Sequence, residues 1–216
     1  MNGRMTIDEV LAMGPVLPVV TIPAPQDAAD LARALAAGGF RAVEVTLRTP
    51  AALAAIESIA RQVPEVTVGA GTVLSVEDLR LAASAGAEFA VSPGATPTLL
   101  AAGGDKTLPY LPGAATASEI QAGFEAGHRS FKFFPAAGPG GLAALRAFAG
   151  PFAQLRFCAT GGITLDNAQS FLDLPNVICV GGSWFATPEL VLKRDWNSIE
   201  SQGRDTLARL VRRTPR

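Results

Sequence analysis

An α/β fold, in the form of a (β/α)8 TIM barrel with an extra N-terminal helix and an extra C-terminal helix, is predicted by three observations. Eight short apolar runs punctuate the chain of 216 residues, alanine- and leucine-rich segments with helix-capping signals lie between them, and the repeat averages about 27 residues. Such alternation points to parallel strands joined through crossover helices, and the length falls at the short end of the barrel range. A doubly wound open sheet satisfies the same count and stands as the alternative, because counting elements does not prove closure. No linker, low-complexity tract or charge run divides the chain, so residues 1–216 are expected to form one barrel domain.

The extra helices are expected around residues 7–13 and 195–212, and the strands over 16–22, 41–47, 66–72, 89–92, 108–111, 130–134, 155–160 and 177–181. Between strands, Thr49, Thr96 and Thr187 each precede a proline, which sets an N-cap hydroxyl before a proline at the first helical position. Thr116 and Glu119 have capping-box spacing, and Gly38 with Gly39, Gly86 and Gly127 stand where helices end. The first crossover helix, residues 26–37, puts Leu31 and Leu35 on one face and Asp27, Asp30 and Arg33 on others, so it has an inner and an outer side.

Composition removes several function classes. At 49% hydrophobic and 17% charged, against roughly a quarter charged in an ordinary domain, the chain is not a disordered one. With 18 basic and 19 acidic residues it carries no footprint for nucleic acid or an anionic membrane. Cys158, Cys179 and His128 are the only cysteines and histidine, so neither a disulfide framework nor a Cys/His zinc site is expected. The N-terminal ten residues have no apolar segment of secretory length, and no run approaches the roughly 20 residues of a membrane span. A cytoplasmic protein with reduced thiols is the expectation.

Polar residues inside strands carry the chemistry. In the second strand Val43, Val45 and Leu47 share one face, and Glu44, Thr46 and Arg48 the other. With the apolar face against helices, Glu44 points into the barrel and Arg48 lies at the carboxyl-terminal mouth, where barrel active sites sit; a half-exposed edge strand would leave both solvated. In the sixth strand Phe131 and Phe133 face one way, Lys132 and Phe134 the other. A lysine held there is desolvated, which disfavours the ammonium form and leaves an amine able to attack a carbonyl carbon. The competing reading is a buried stem whose head snorkels out at the strand end. Lys106, in a turn, and Lys193, near a helix end, offer nothing comparable.

Glycine pairs close the last two strands, Gly161 with Gly162 after Thr160, and Gly181 with Gly182 before Ser183. They let a phosphate approach backbone N–H groups, and barrels often carry phosphate on these loops. Gly69, Gly71 and Thr72 end the third strand with close-approaching backbone and a hydroxyl. Ser92-Pro93-Gly94 and Pro112-Gly113 are read as shape rather than chemistry. His128, on the amino-terminal side, is read as structural, Cys158 and Cys179 as packing residues, and Trp184 as either lining the mouth or covering a barrel end.

Glu44-Val-Thr-Leu-Arg48, Val68-Gly-Ala-Gly-Thr-Val73, Ser92-Pro-Gly94, Phe131-Lys-Phe-Phe-Pro135, Thr160-Gly-Gly-Ile163 and Gly181-Gly-Ser-Trp184 together resemble the class I aldolases acting on 2-keto-3-deoxy-6-phosphogluconate and 4-hydroxy-2-oxoglutarate. The resemblance implies a cofactor-free, metal-free barrel lyase, usually a homotrimer, that takes a small 2-keto-3-deoxy sugar acid phosphate. It implies Lys132 as Schiff-base nucleophile and Glu44 as acid/base, Arg48 and Thr72 at the carboxylate end, and Gly161, Gly162 and Ser183 at the phosphate end. Pro93, Phe134 and Thr160 would form the pocket wall. The chain departs from the family pattern at Ala136-Ala137 and at Ala159. Two other readings share the phosphate loops: the galactonate-configured substrate on the same chemistry, and a phosphosugar isomerase or epimerase, which has no need of Lys132. A phosphate-metabolite binding protein is the reading without catalysis.

Overall fold

All eight apolar runs are strands in a computed structural model, which describes residues 5–104, 108–138 and 140–212. In chain order they are β1 (Val16–Val20), β2 (Ala42–Thr46), β3 (Thr67–Gly71), β4 (Phe89–Val91), β5 (Tyr110–Leu111) with β6 (Gly113–Ala114), β7 (Ser130–Phe133), β8 (Arg156–Thr160) and β9 (Val177–Gly182). Every pairing is parallel, in the order β5-β4-β3-β2-β1-β9-β8-β7-β6. The two ends of that list are consecutive in the chain. Leu111 pairs with Val91 of β4 and Gly113 with Lys132 of β7, so Pro112 sits at the seam where the sheet closes on itself. Pro112 has no N–H to give a ladder, so the predicted strand 108–111 is observed as Tyr110–Leu111 only, and Gly113–Ala114, beyond its predicted end, forms a second short piece. The barrel therefore replaces the open sheet.

The interior and the helix layer are separate cores. Val43, Val45, Val68, Ala70, Phe131, Phe133 and Phe157 face outward and pack with the helices. Leu17, Ala42, Phe89, Val91, Leu111, Cys158 and Cys179 face inward with Val10 and Leu11 of α1 (Ile7–Leu11), which plugs the amino-terminal end. Ser130 Oγ donates to Asp8 of that helix, fixing the plug to β7. His128 lies on the same side, its Nε2 bonded to the Leu100 carbonyl at 3.0 Å and its ring edge-on to Tyr110, as a structural residue should.

Capping follows the sequence in part. Between β5/β6 and β7, the helix Ala117–Glu125 has the Thr116–Glu119 capping box, Leu99 N–H donates to Thr96 Oγ1, and Thr187 caps the helix that starts at Pro188. Gly39, Gly86 and Gly127 take positive φ after their helices. Thr49 is a correction: the crossover after β2 runs from Ala52 to Gln62 with Ala51 at its N-cap, and Thr49 Oγ1 instead donates to the Ile22 carbonyl at 2.7 Å, joining the ends of β1 and β2. Asp27 is a second. It does not sit on an outer face but is 9% exposed and paired with Arg194 at 2.8 Å. The C-terminal helix, Trp196–Arg209, begins after the Asp195 cap and packs on the first crossover helix, Ala28–Ala37.

Candidate active site

Strand alternation brings two charged side chains to one point inside the barrel. Glu44 lies between outward-facing Val43 and Val45, and Lys132 between outward-facing Phe131 and Phe133. Lys132 Nζ donates to Glu44 Oε1 at 3.1 Å across a sequence separation of 88 residues. They are 4% and 1% exposed, which excludes both the snorkelling lysine and the solvated edge-strand glutamate. Packing does not call for such a pair, since apolar replacements of buried ion pairs are often neutral or stabilising. What it offers is chemistry: one proton moved along this hydrogen bond leaves a nucleophilic amine beside a carboxylic acid.

Room for the carboxylate comes from β3. A Cβ at Gly71 would lie 2.1 Å from Glu44 Oε1, and one at Gly69 would lie 2.4 Å from the Phe89 ring. Gly71→Ala is expected to displace Glu44 and to lower stability by about 1–3 kcal/mol, the usual result of overpacking. Chemical denaturation checks this against Gly94→Ala, where nothing lies within 4 Å of the added carbon and the change should stay within about 0.5 kcal/mol.

At the mouth, Arg48 is exposed and its Nε donates to Thr72 Oγ1 at 3.1 Å. Thr72 has φ +59, a left-handed conformation that a β-branched residue adopts only where its surroundings impose it. Here Val73 N–H is bonded to the Val91 carbonyl at 3.1 Å, and the turn aims the Thr72 hydroxyl at Arg48.

On the other side, the Phe134 ring centroid lies 5.6 Å from Lys132 Nζ, within cation–π range. Gly161 and Gly162 have φ +97 and +73, which only glycine adopts freely. Side chains there would also strike Phe134 and Ala137, at 2.9 and 2.5 Å. Ala136 and Ala137 donate N–H bonds to the Thr160 and Gly161 carbonyls at 2.8 and 2.9 Å, so the Ala136-Ala137 departure forms backbone support for the glycine turn. Thr160 points inward, and Gly181 pairs with it in register with no space for a Cβ, 2.3 Å from Thr160 Oγ1. That register sets the loops after β8 and β9 side by side, with Ser183 exposed between Gly182 and Trp184.

Pro93 is half-buried, its backbone pressed against Gly113, where a Cβ would come within 2.2 Å. Ser92 Oγ bonds Tyr110 Oη at 2.6 Å and accepts from Gly113 N–H at 3.2 Å. Burial pushes the Tyr110 phenol up to about 12. This corner is shape, as expected. Trp184 packs partly buried against the helix-side core, and its Nε1 donates to Thr206 Oγ1 at 3.0 Å, tying the end of β9 to the C-terminal helix. Lys193 is exposed and paired with Glu189 at 2.6 Å, whereas Lys106 lies outside the described residues.

Two features of the site were not assigned roles from sequence. Cys158 is a packing residue, but it is the register neighbour of Lys132, and its sulfur lies 3.6 Å from Thr160 Oγ1. Hydrogen bonding to the Cys158 sulfur, together with burial, pushes the buried Cys179 thiol well up. The second is a hydroxyl pair, Thr21 with Thr46, at 2.8 Å. Among the described residues no group of three or more His, Cys, Asp or Glu side chains lies together as a metal site.

The family described as KDPG and KHG aldolase has a model that matches residues 7–202. The chain belongs to that aldolase family. It is accordingly a carbon–carbon lyase. A 2-dehydro-3-deoxy-phosphogluconate aldolase of Dickeya dadantii is 45% identical over 96% of this chain and 97% of its own length. The KHG/KDPG aldolase of Escherichia coli K12 is 45% identical over 95% and 97%. The solved KDPG aldolase of Legionella pneumophila, with pyruvate captured as a covalent carbinolamine, superposes with a TM-score of 0.93 at 43% identity, covering 95% of this chain and 100% of that one. Within this KDPG and KHG aldolase chain, no helix among the described residues is long and apolar enough to cross a membrane.

Proposed function

We propose that the chain cleaves 2-dehydro-3-deoxy-6-phosphogluconate to pyruvate and glyceraldehyde 3-phosphate through a Schiff base on Lys132, and that it also acts on 4-hydroxy-2-oxoglutarate. The observation carrying this reading is the buried contact between Lys132 and Glu44 at 3.1 Å. The names of the relatives support the substrate and its gluconate configuration, and the carbinolamine of the Legionella enzyme supports the covalent route.

Lys132 Nζ adds to the C2 carbonyl, giving a carbinolamine that loses water to an iminium. The iminium withdraws electrons from C3. Glu44 takes the C4 hydroxyl proton, the C3–C4 bond breaks, and glyceraldehyde 3-phosphate leaves with the new carbonyl. The electron pair stays on the pyruvate enamine, which regains a proton at C3 from Glu44, and water then releases pyruvate and the amine. One carboxylate serves both proton steps by alternating between base and acid. Arg48, braced by Thr72, would hold the C1 carboxylate in a fork, Gly161, Gly162 and Ser183 the phosphate, and Phe134, Pro93 and Thr160 the walls that keep water from the imine.

Pyruvate with borohydride is expected to reduce the imine and label Lys132 irreversibly, adding one pyruvate-derived group per chain by mass spectrometry. Peptide mapping that found the label on Lys193 or Lys106 would overturn the assignment of Lys132, and no label under turnover conditions would overturn the Schiff-base route. A phosphorylated, multiply charged substrate does not cross membranes unaided, which supports the cytoplasm as the place of action. Assembly as a homotrimer belongs to the same reading.

A further inference from the structure

We infer that Thr21, at the mouth end of the first barrel strand, is a specificity residue that accepts a hydrogen bond from the substrate hydroxyl one carbon beyond the cleaved bond, the C5 hydroxyl of the sugar acid. The inference rests on the aldolase reading above and adds to it a residue outside every motif on which that reading stands.

Position comes first. Along β1, Val16, Val20 and Ile22 belong to the helix-side core and Leu17 to the barrel interior, so Val19 and Thr21 continue the inward face. Val19 is in register with Glu44. Thr21 is therefore the next inward residue toward the mouth, and its bond to Thr46, two residues beyond Glu44 on the same face of β2, agrees.

Hydrogen-bond accounting then sets the polarity of Thr21. Thr46 Oγ1 also approaches the Val20 carbonyl at 3.2 Å, and a carbonyl can only accept. Thr46 has one hydroxyl proton, and it is committed to that carbonyl. The proton in the 2.8 Å contact between the two hydroxyls must then come from Thr21. Thr21 Oγ1 is left as an acceptor, and among the described residues it has no other hydrogen-bond partner. The residue is half-buried, on the inward face just beyond the end of β1.

Ring order identifies what meets that acceptor. β1 stands between β2 and β9. The carboxylate end of the substrate is assigned to Arg48 and Thr72 beyond β2 and β3, and the phosphate end to loops beyond β8 and β9. A six-carbon chain held at both ends, with C2 on Lys132 and its C4 hydroxyl at Glu44 of β2, brings C5 to the arc of β1 on the way to the phosphate. A hydroxyl there is a donor facing an acceptor. 4-Hydroxy-2-oxoglutarate, which has a carboxylate at C5, gains nothing from Thr21.

The test runs the reaction in the synthetic direction, adding pyruvate to D-glyceraldehyde or to 3-hydroxypropanal. These acceptors differ only in the hydroxyl that becomes the C5 hydroxyl, and neither carries phosphate, so the phosphate loops do not enter. Thr21→Val keeps the branched shape and removes the acceptor; Thr21→Ser keeps the acceptor. In Thr21→Val the kcat/KM preference for D-glyceraldehyde over 3-hydroxypropanal should fall by roughly 2- to 12-fold relative to the parent, the net effect of one neutral hydrogen bond. Thr21→Ser should retain the parent preference, and borohydride trapping with pyruvate should be unchanged in both. An unaltered preference in Thr21→Val, or equal losses on both acceptors, overturns the inference and leaves Thr21 as a brace for Thr46. Failure of the parent enzyme to join pyruvate to D-glyceraldehyde 3-phosphate would instead count against the Schiff-base reading itself, and is seen before any substitution is made.

Discussion

Glu44→Gln is expected to lower cleavage of the phosphorylated sugar acid by roughly 10²- to 10⁴-fold, the usual contribution of a positioned general acid or base. The substitution keeps the volume that Gly71 leaves open beneath the carboxylate and retains an oxygen able to accept from Lys132 Nζ, so the site should hold its shape. On the proposed mechanism, what is lost is the group that takes the C4 hydroxyl proton and returns one to C3. Imine formation needs less from it, so labelling by pyruvate and borohydride should persist at a reduced rate. Steady-state cleavage and single-turnover trapping on the same preparation separate the two steps. Near-parental cleavage in this variant would reduce the Lys132–Glu44 contact to a structural ion pair.

Removing the Ser183 hydroxyl should discriminate between substrates. If Ser183 donates to a dianionic phosphate, Ser183→Ala removes a charge-assisted hydrogen bond worth about 1.5–3 kcal/mol. At about 1.4 kcal/mol per factor of ten, kcat/KM for the phosphorylated substrate should fall by roughly 10- to 150-fold. Turnover of 4-hydroxy-2-oxoglutarate, which has no phosphate, should change by less than about threefold. A damaged barrel would lose both activities, so equal losses would show that the adjacent loops after β8 and β9 do not bind phosphate.

The parts of this molecule that were legible in the sequence are those set by short-range pattern. Lys132 stood out because three phenylalanines in the same five-residue strand left a charged residue without a route to water. Glu44 was placed inward by its two valine neighbours. Their meeting was not legible, because a contact over 88 residues depends on barrel stagger, which no local period encodes. Thr49 shows the converse failure: a residue with the right local signal for an N-cap gave its hydroxyl to a carbonyl on the neighbouring strand. Asp27 is similar, since its partner Arg194 lies on the far side of the chain. Thr21 and Thr46 were visible only as polar residues in apolar strands; which hydroxyl donates follows from the Val20 carbonyl, which the β1–β2 pairing brings within 3.2 Å of Thr46.

Closure of the ring at Pro112 divides the barrel into two arcs. β1 to β5 form one, carrying Glu44, and β6 to β9 form the other, carrying Lys132. The arcs are joined by the β1–β9 ladder on one side and, on the other, by the Pro112 carbonyl, which accepts from Lys132 N–H at 2.9 Å, and by Ser92 Oγ, which accepts from Gly113 N–H at 3.2 Å. The contact between Lys132 and Glu44 adds a polar link across the interior, beside the apolar core that Leu17, Val91 and Leu111 of one arc share with Cys158 and Cys179 of the other. On the proposed mechanism imine formation would exchange that link for a covalent bond to substrate, while the shared apolar core keeps the two arcs together.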